Sequence, residues 1–319
     1  MHLNMTIKLD AFEQEKITNH LRAMGVDKAD AAGIWTVKQL TASLNKAYET
    51  EYDQNSVVNL FPVSNEIPGY AKYFEYPVFD GVGIAQIVAD YTDDLPLVDA
   101  LATERQGKVF RFGNAFLISI DEIKVGQATG QSLSARKQSL AFEAHDKLLD
   151  KLVWSGSTVH GIPSVFDYPN INNVVSGGSW AQPTTAVSDI TSLLDIIETS
   201  TNGQHRATHL LLPTTARRIM QNLVPGTSVS YGEFFRQNNS GVTVEFVQYL
   251  NDYNGTGTSA AIAYEKDPNN MAIEIPEATN ALPAQPKDLH FRVPVTSKAT
   301  GLIVYRPLTM AVMKGITFA

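Results

Sequence analysis

The residues of this chain that could do chemistry fall into a few small groups. His205 and His209 are four apart, a spacing that on a helix would turn two imidazoles toward one metal ion. The residues that follow, Leu210-Leu211-Leu212-Pro213, read instead as a strand, which aims the rings at different places, so ordinary histidines are expected. Glu143, His145 and Asp146 resemble an acid–base cluster along the sequence; on a helix they read as solvated surface, with His145 against a neighbour. Gly81-Val82-Gly83 runs into Ile84-Ala85-Gln86, so it lacks the third glycine and the helix start of a dinucleotide loop. Asp90, Asp93, Asp94, Asp99 and Glu104 form an acidic segment without the spacing of a calcium loop. That segment reads as a solvated loop or as an acidic patch that docks on a basic neighbour. No phosphate loop ending in Gly-Lys-Ser or Gly-Lys-Thr occurs, and no Gly-x-Ser-x-Gly elbow. There is no cysteine, which excludes disulfides, thiolate metal sites and cysteine nucleophiles. No catalytic residue, cofactor or metal site is implied.

Composition narrows the partners. The chain has 319 residues, of which 33 are acidic and 25 basic, for a formal charge of −8. A protein that grips nucleic acid by neutralising phosphates leans the other way, and the longest basic run here is Arg217-Arg218. A container that merely faces nucleic acid needs no such patch. No stretch approaches the roughly 20 apolar residues of a membrane helix. The first residues carry no basic region followed by an apolar core, so no secretory signal is expected.

The elements that must carry these groups can be read in order. Residues 1–68 form a polar, partly helical arm, with Ile34, Val37, Leu40, Leu44 and Tyr48 as one apolar stripe. The arm has little to bury alone and lies across either its own body or a neighbour. An aromatic β-rich run, Tyr70 to Phe79, is separated from a second, Lys108 to Ile118, by a segment far longer than a hairpin turn of about 2–5 residues. Two long strands of this kind are marginal alone in water and need a partner surface.

The clearest helix runs from Gln131 to Ser155. It carries Leu133, Leu140, Ala144, Leu148 and Leu152 on one face, with Ala141, Leu149 and Val153 beside them, and Asp150 among the polar residues. Gly156 stands where a C-terminal cap belongs, and the rod would be roughly 37 Å long. Ser188-Asp189 reads as the cap of a helix that turns Ile190, Leu193, Leu194 and Ile197 inward. Strands are expected at 207–212, 242–247 and 260–264, the last two joined across Asn254-Gly255, with a helix from Thr214 to about Leu223. Strand and helix alternate here, which makes an α/β unit of about 100 residues. The closing strands, near 291–295, 301–307 and 310–318, must pair with something earlier in the chain.

This order of parts resembles the tailed-phage major capsid fold of the Hong Kong 97 type, and more narrowly the phage-encoded major capsid family related to encapsulins. The likeness spans roughly residues 35 to 319. It is carried by Leu44-Asn45-Lys46-Ala47-Tyr48-Glu49 leading to Phe61-Pro62-Val63-Ser64, and most specifically by the run from Tyr76-Pro77-Val78-Phe79-Asp80-Gly81 through Asp90-Tyr91-Thr92-Asp93-Asp94-Leu95-Pro96 to Asp99. Trp154-Ser155-Gly156 with Gly161-Ile162-Pro163-Ser164-Val165 is similar to that family's helix end and turn, with Ser164 in place of the usual Asn. His209-Leu210-Leu211-Leu212-Pro213 and Tyr305-Arg306-Pro307-Leu308 are also similar to it.

The resemblance implies an α+β fold. Residues 1–68 would be the N-terminal arm and 69–118 an extended β-hairpin loop that overlaps an adjacent subunit. Residues 119–175 and 276–319 would be a peripheral domain with spine helix 131–155, and 176–275 an axial domain at the capsomer centre. The implied function is a structural, non-enzymatic shell subunit. It would self-assemble as hexamers and pentamers into an icosahedral head around double-stranded DNA that it does not read by sequence, alongside scaffold, portal or decoration proteins. The shell would be assembled in the host cytoplasm and end in the virion. Asp90, Asp93, Asp94, Asp99, Glu104, Arg105 and Arg111 are the expected inter-subunit contacts, and deleting 90–104 is expected to block particles without unfolding the subunit. Some relatives crosslink through a loop lysine, but residues 77–107 contain none, so the loop tip cannot. An encapsulin-like compartment and, in another class, a soluble α/β enzyme are the competing readings.

Overall fold

The computed structural model describes residues 57–82, 99–129 and 133–318. The predicted arm helix through Tyr48 and the loop residues Asp90, Asp93 and Asp94 lie outside them. In chain order, α1 is Val57–Leu60, β1 Val63–Ser64, β2 Tyr73–Val82, β3 Asp99–Lys108, β4 Phe110–Ser119, α2 Ile120–Thr129 and α3 Leu133–Ser155. Then come β5 Asn172–Val175, α4 Pro183–Ser200, β6 His209–Pro213, α5 Ala216–Met220, α6 Tyr231–Asn238, β7 Thr243–Val247 and β8 Ser259–Tyr264. The chain closes with β9 Met271–Glu274, β10 Glu277–Ala281, β11 Gln285–Lys287, β12 His290–Ala299, β13 Leu302–Val304 and β14 Met310–Ile316.

The core is organised by one five-stranded sheet in the order β5-β14-β8-β6-β7. Successive side chains on a strand point to opposite faces. Leu211, Ile262, Tyr264, Met310 and Val312 therefore pack with Leu149, Leu152, Val153 and Trp154 of α3 on one side. Leu210, Leu212, Ala261, Ala263, Ala311 and Met313 pack with Ile190, Leu193, Leu194 and Ile197 of α4 on the other. A sheet covered on both faces explains why these strands read as continuous apolar runs. The expected α/β unit is thus a helix-covered sheet, and β14 returns from the end of the chain to fill its middle, parallel to β5 and antiparallel to β8. β7 and β8 do not form the hairpin suggested by Asn254-Gly255: β6 lies between them, parallel to β7 and antiparallel to β8.

A second sheet forms as β4 pairs with β12 over ten residues, from His290↔Ser119 to Ala299↔Phe110. This corrects the reading of the second β-rich run. Residues 110–119 are not the return strand of the hairpin. That strand is β3, antiparallel to β2 from Tyr73↔Lys108 to Val82↔Asp99.

Helix α3 matches the predicted rod, but the face it buries differs. Ala141, His145, Leu149, Leu152 and Val153 are buried, whereas Leu140 is 59% exposed and Leu148 40%. Asp150, expected on the polar side, is buried and accepts the Val57 amide at 2.8 Å. Gly156 ends the helix at φ 66°, and a Cβ there would meet Ser164 N at 2.6 Å, so only glycine fits. Ser164 accepts the Asp167 amide at 3.1 Å. A short polar side chain is what that turn requires, and serine supplies it where Asn is usual.

Helix α4 begins earlier than Ser188-Asp189 suggests. Pro183 opens it, as proline's fixed φ and missing N–H favour. Asp189 is instead buried within the helix. It accepts from Trp180 Nε1 and Ser176 Oγ, each at 2.8 Å, and from the Gly177 amide at 3.0 Å. The Ser176–Ser179 loop is tied to the helix by this carboxylate. Pro213 likewise closes β6, and the helix after it is the shorter α5. Asp189→Ala leaves the buried Trp180 N–H without an acceptor and frees the Ser176–Gly177 loop, and should cost the unassembled subunit about 1–3 kcal/mol, read as a lower urea midpoint with an unchanged slope.

Candidate assembly surfaces

The hairpin is built from two strands that have little apolar matter to share. Ala102, Thr103, Glu104, Arg105 and Gln106 are all exposed, although a strand aims alternate residues at opposite faces. Both faces of that half of the ribbon are bare. Near its base the ribbon does rest on its own chain. Phe74 lies across Gly107, where a Cβ would fall 2.1 Å from the ring, and stacks on Tyr76 at 6.3 Å. Tyr76 meets Tyr305 edge-on at 5.0 Å. Burial, with Glu274 and Glu66 nearby, pushes the Tyr305 phenol up to about 12.

The predicted contact residues do not converge. Glu104 and Arg105 stand on β3, opposite Pro77 and Tyr76. Arg111 stands on β4, opposite Lys298, in the sheet to which the hairpin is attached. Asp99 forms the far end of the ribbon, paired with Val82. Two surfaces escaped sequence reasoning. One is the outward row Leu140, Ala144 and Leu148 on α3, one helical turn apart and all exposed. The other is a groove at the root of the hairpin lined by Tyr70, Lys72, Tyr73, Lys108, Arg111 and Lys298. Its signal was present as lysines flanking a lysine-free stretch, but the pairing of Tyr73 with Lys108 was needed to bring them together.

The histidines are structural. His205 Nδ1 lies 2.6 Å from Glu265 Oε2, while the His209 ring stacks on Tyr264 at 5.6 Å. The two do not face a common point, and no group of acidic and histidine side chains among the described residues could hold a metal. His145, expected on a solvated face but set against a neighbour, is buried between α3 and β12, its Nδ1 2.6 Å from Ser297 Oγ and its Nε2 without a partner. Burial pushes its imidazole below the ordinary histidine range, partly opposed by Asp146. His209 is pushed the same way by burial and by Lys266, against Glu245. Both rings are therefore neutral in the folded subunit at pH values where the unfolded chain already takes up protons, so stability is complete above about pH 6.5 and is lost as pH falls. His145→Gln should flatten that loss in urea titrations between pH 7 and 5, leaving the His209 share.

Comparisons with known proteins come to the same architecture. Residues 83–316 match the family model described as Major capsid protein. The capsid of Myoviridae phage XM1 superposes with a TM-score of 0.76 at 18% identity, over 89% of this chain and 99% of that one. The capsid of a native GTA particle gives 0.63 at 12%, over 91% and 100%. A virus-like particle from Pyrococcus furiosus gives 0.53 at 12%, over 81% and 92%. At such identities the likeness is one of fold, and the fold is the expected α+β type of phage capsid proteins. Comparison with curated protein sequences gives no match.

Proposed function

We propose, on the premise that this chain belongs to the major capsid protein family, that its copies assemble as hexamers and pentamers into the icosahedral head shell of a tailed phage. The family is a structural one, whose members form the shell of the virion, and no catalytic step is assigned. The observation that carries the reading is the ribbon β2–β3, whose residues 102–106 are exposed on both faces. Such a ribbon is marginal alone and gains stability by burial against another surface. Residues 69–118 would overlap an adjacent subunit, with Asp90, Asp93, Asp94, Asp99, Glu104, Arg105 and Arg111 at the contact. Helix α3 would be the spine of a peripheral domain made of 119–175 and 276–319. Residues 176–275, their sheet completed by β14, would surround the capsomer axis. The contents would be double-stranded DNA held without sequence readout, in keeping with the net charge of −8. Scaffold, portal or decoration proteins would join it during assembly in the host cytoplasm.

Electron microscopy of particles purified from expressing cells should reveal icosahedral shells, and those from phage should contain DNA. A monodisperse monomer under all assembly conditions would overturn the reading, and shells filled with protein cargo in place of DNA would turn it into a compartment. Because 99–104 is strand, a deletion of 90–104 would damage β3. A cleaner cut replaces 83–98 by a short Gly-Ser turn. It should abolish particles while leaving the far-ultraviolet dichroism and urea midpoint of the subunit unchanged.

A further inference from the structure

The groove at the root of the hairpin has a volume of about 470 Å³ and a cationic rim. Three chain segments meet there. Tyr73 faces Lys108 across the first pair of the ribbon. The Val109 amide donates to the Lys72 carbonyl at 3.0 Å. Arg111 stands opposite Lys298 on β12. Lys298 is already matched, by Glu277 at 3.0 Å and by the Gly69 carbonyl. Lys72, Lys108 and Arg111 are exposed, and none takes part in an ion pair among the described residues. Three gathered cations on a chain of net charge −8 make a local field of the opposite sign, suited to an acidic partner.

The chain carries such a partner. Residues 83–98 contain Asp90, Asp93 and Asp94 and no lysine or arginine. Yet Asp93 and Asp94 are poorly placed to serve their own groove. Val82 pairs with Asp99 at one end of the ribbon and Tyr73 with Lys108 at the other. At about 3.3 Å per residue the two ends are roughly 30 Å apart. Asp93 and Asp94 are tethered to Asp99, and even a fully extended chain carries their backbones back by no more than about 20 Å and 17 Å. A fully extended tether thus leaves the backbones of Asp93 and Asp94 about 10 Å or more short of the groove, so bringing all three carboxylates to it calls for the segment of another copy.

We propose that the groove formed by Lys72, Lys108 and Arg111 is the receptor for the acidic segment Asp90–Asp94 of a second copy of this chain. The inference rests on the reading that the hairpin tip docks on a neighbour, and it identifies the surface that receives it. Tyr70 and Tyr73, 87% and 65% exposed, wall the groove and are covered when the segment enters. Such a contact supplies register and rate of association more than raw affinity, and salt weakens it.

Charge reversal in the full-length chain tests this. The groove variant Lys72→Glu/Lys108→Glu/Arg111→Glu and the loop variant Asp90→Lys/Asp93→Lys/Asp94→Lys should each lower particle yield in sedimentation by about tenfold or more, with subunit dichroism unchanged. The six-fold variant, in which every copy carries both reversals, should recover yield to within about threefold of the original. A groove variant that assembles normally while the loop variant fails overturns the groove assignment and leaves hairpin docking intact. A loop variant that assembles normally overturns hairpin-tip docking by charge and the assignment with it. Failure of all three variants, including the six-fold one in folded form, overturns it in favour of another occupant, such as the acidic residues of 1–53 or a phosphate backbone.

Discussion

Trp154 stands near the end of α3, fully buried among Phe61 at 6.1 Å, Phe166 at 5.9 Å and Tyr249 at 5.7 Å. These rings come from four separate stretches of chain: the entry to the hairpin, the end of the helix, the turn after it and the loop after β7. Tyr264 of the central sheet packs under Phe61 at 5.1 Å and donates its hydroxyl to the Leu60 carbonyl. Truncating a buried aromatic of this kind typically costs about 3–5 kcal/mol. The placement matters more than the amount. Phe61 lies a dozen residues before β2 and Trp154 terminates α3, so the cluster pins both flanks of the segment that holds the hairpin and the rod. Through Tyr264 the same cluster ties both flanks to the central sheet.

The parts of the fold that were legible in the sequence are those whose pattern reflects burial within one chain. Leu210-Leu211-Leu212 and Ala260 to Tyr264 are apolar without interruption because α3 and α4 cover both sides of their sheet. The α3 rod was legible in length, since its polar and apolar residues recur at helical period and Gly156 stops it. Its inward face was not. Leu140, Ala144 and Leu148 make the better stripe on paper, yet the structure buries His145 and Asp150 beside Leu149, with Ser297 at one ring nitrogen of the first and the Val57 amide donating to the second. Hydrophobicity counts alone cannot register a polar side chain whose partner is 90 or more residues away. Asp189 was hidden by a different feature: its position before an apolar run reads as a helix cap, while the chain folds back so that it accepts from a loop and an indole just upstream.

The candidate contact residues were legible by charge and not by position. An acidic, lysine-free segment is visible in any listing of the chain, but β3 is not, because Ala102 to Gln106 has no apolar alternation to mark a strand. Strands that bury neither face within their own subunit lose the period-2 signature by which strands are recognised. The apolar run 110–119 carries that signature and was therefore taken for the return strand, although it belongs to β12. Weak patterning of β3 is thus itself informative: it marks a strand whose residues 102–106 pack against no core of their own subunit.

The absence of lysine from 77–107 sets the terms on which such a hairpin can hold a shell. A covalent link from the ribbon would make each contact permanent, whereas ion pairs at exposed sites are worth about 0–1 kcal/mol each and are screened by salt. One hairpin would then hold weakly. Were every subunit of a closed shell both to give and to receive a hairpin, each further contact would form at high effective concentration once neighbours fix their relative position. Weak contacts have a second consequence. A misplaced subunit can leave before its neighbours lock it in, which favours closure over trapped fragments. Strength in such a shell comes from the number of overlaps and from the rigidity with which Trp154 and the sheet hold the hairpin root, and not from any single bond.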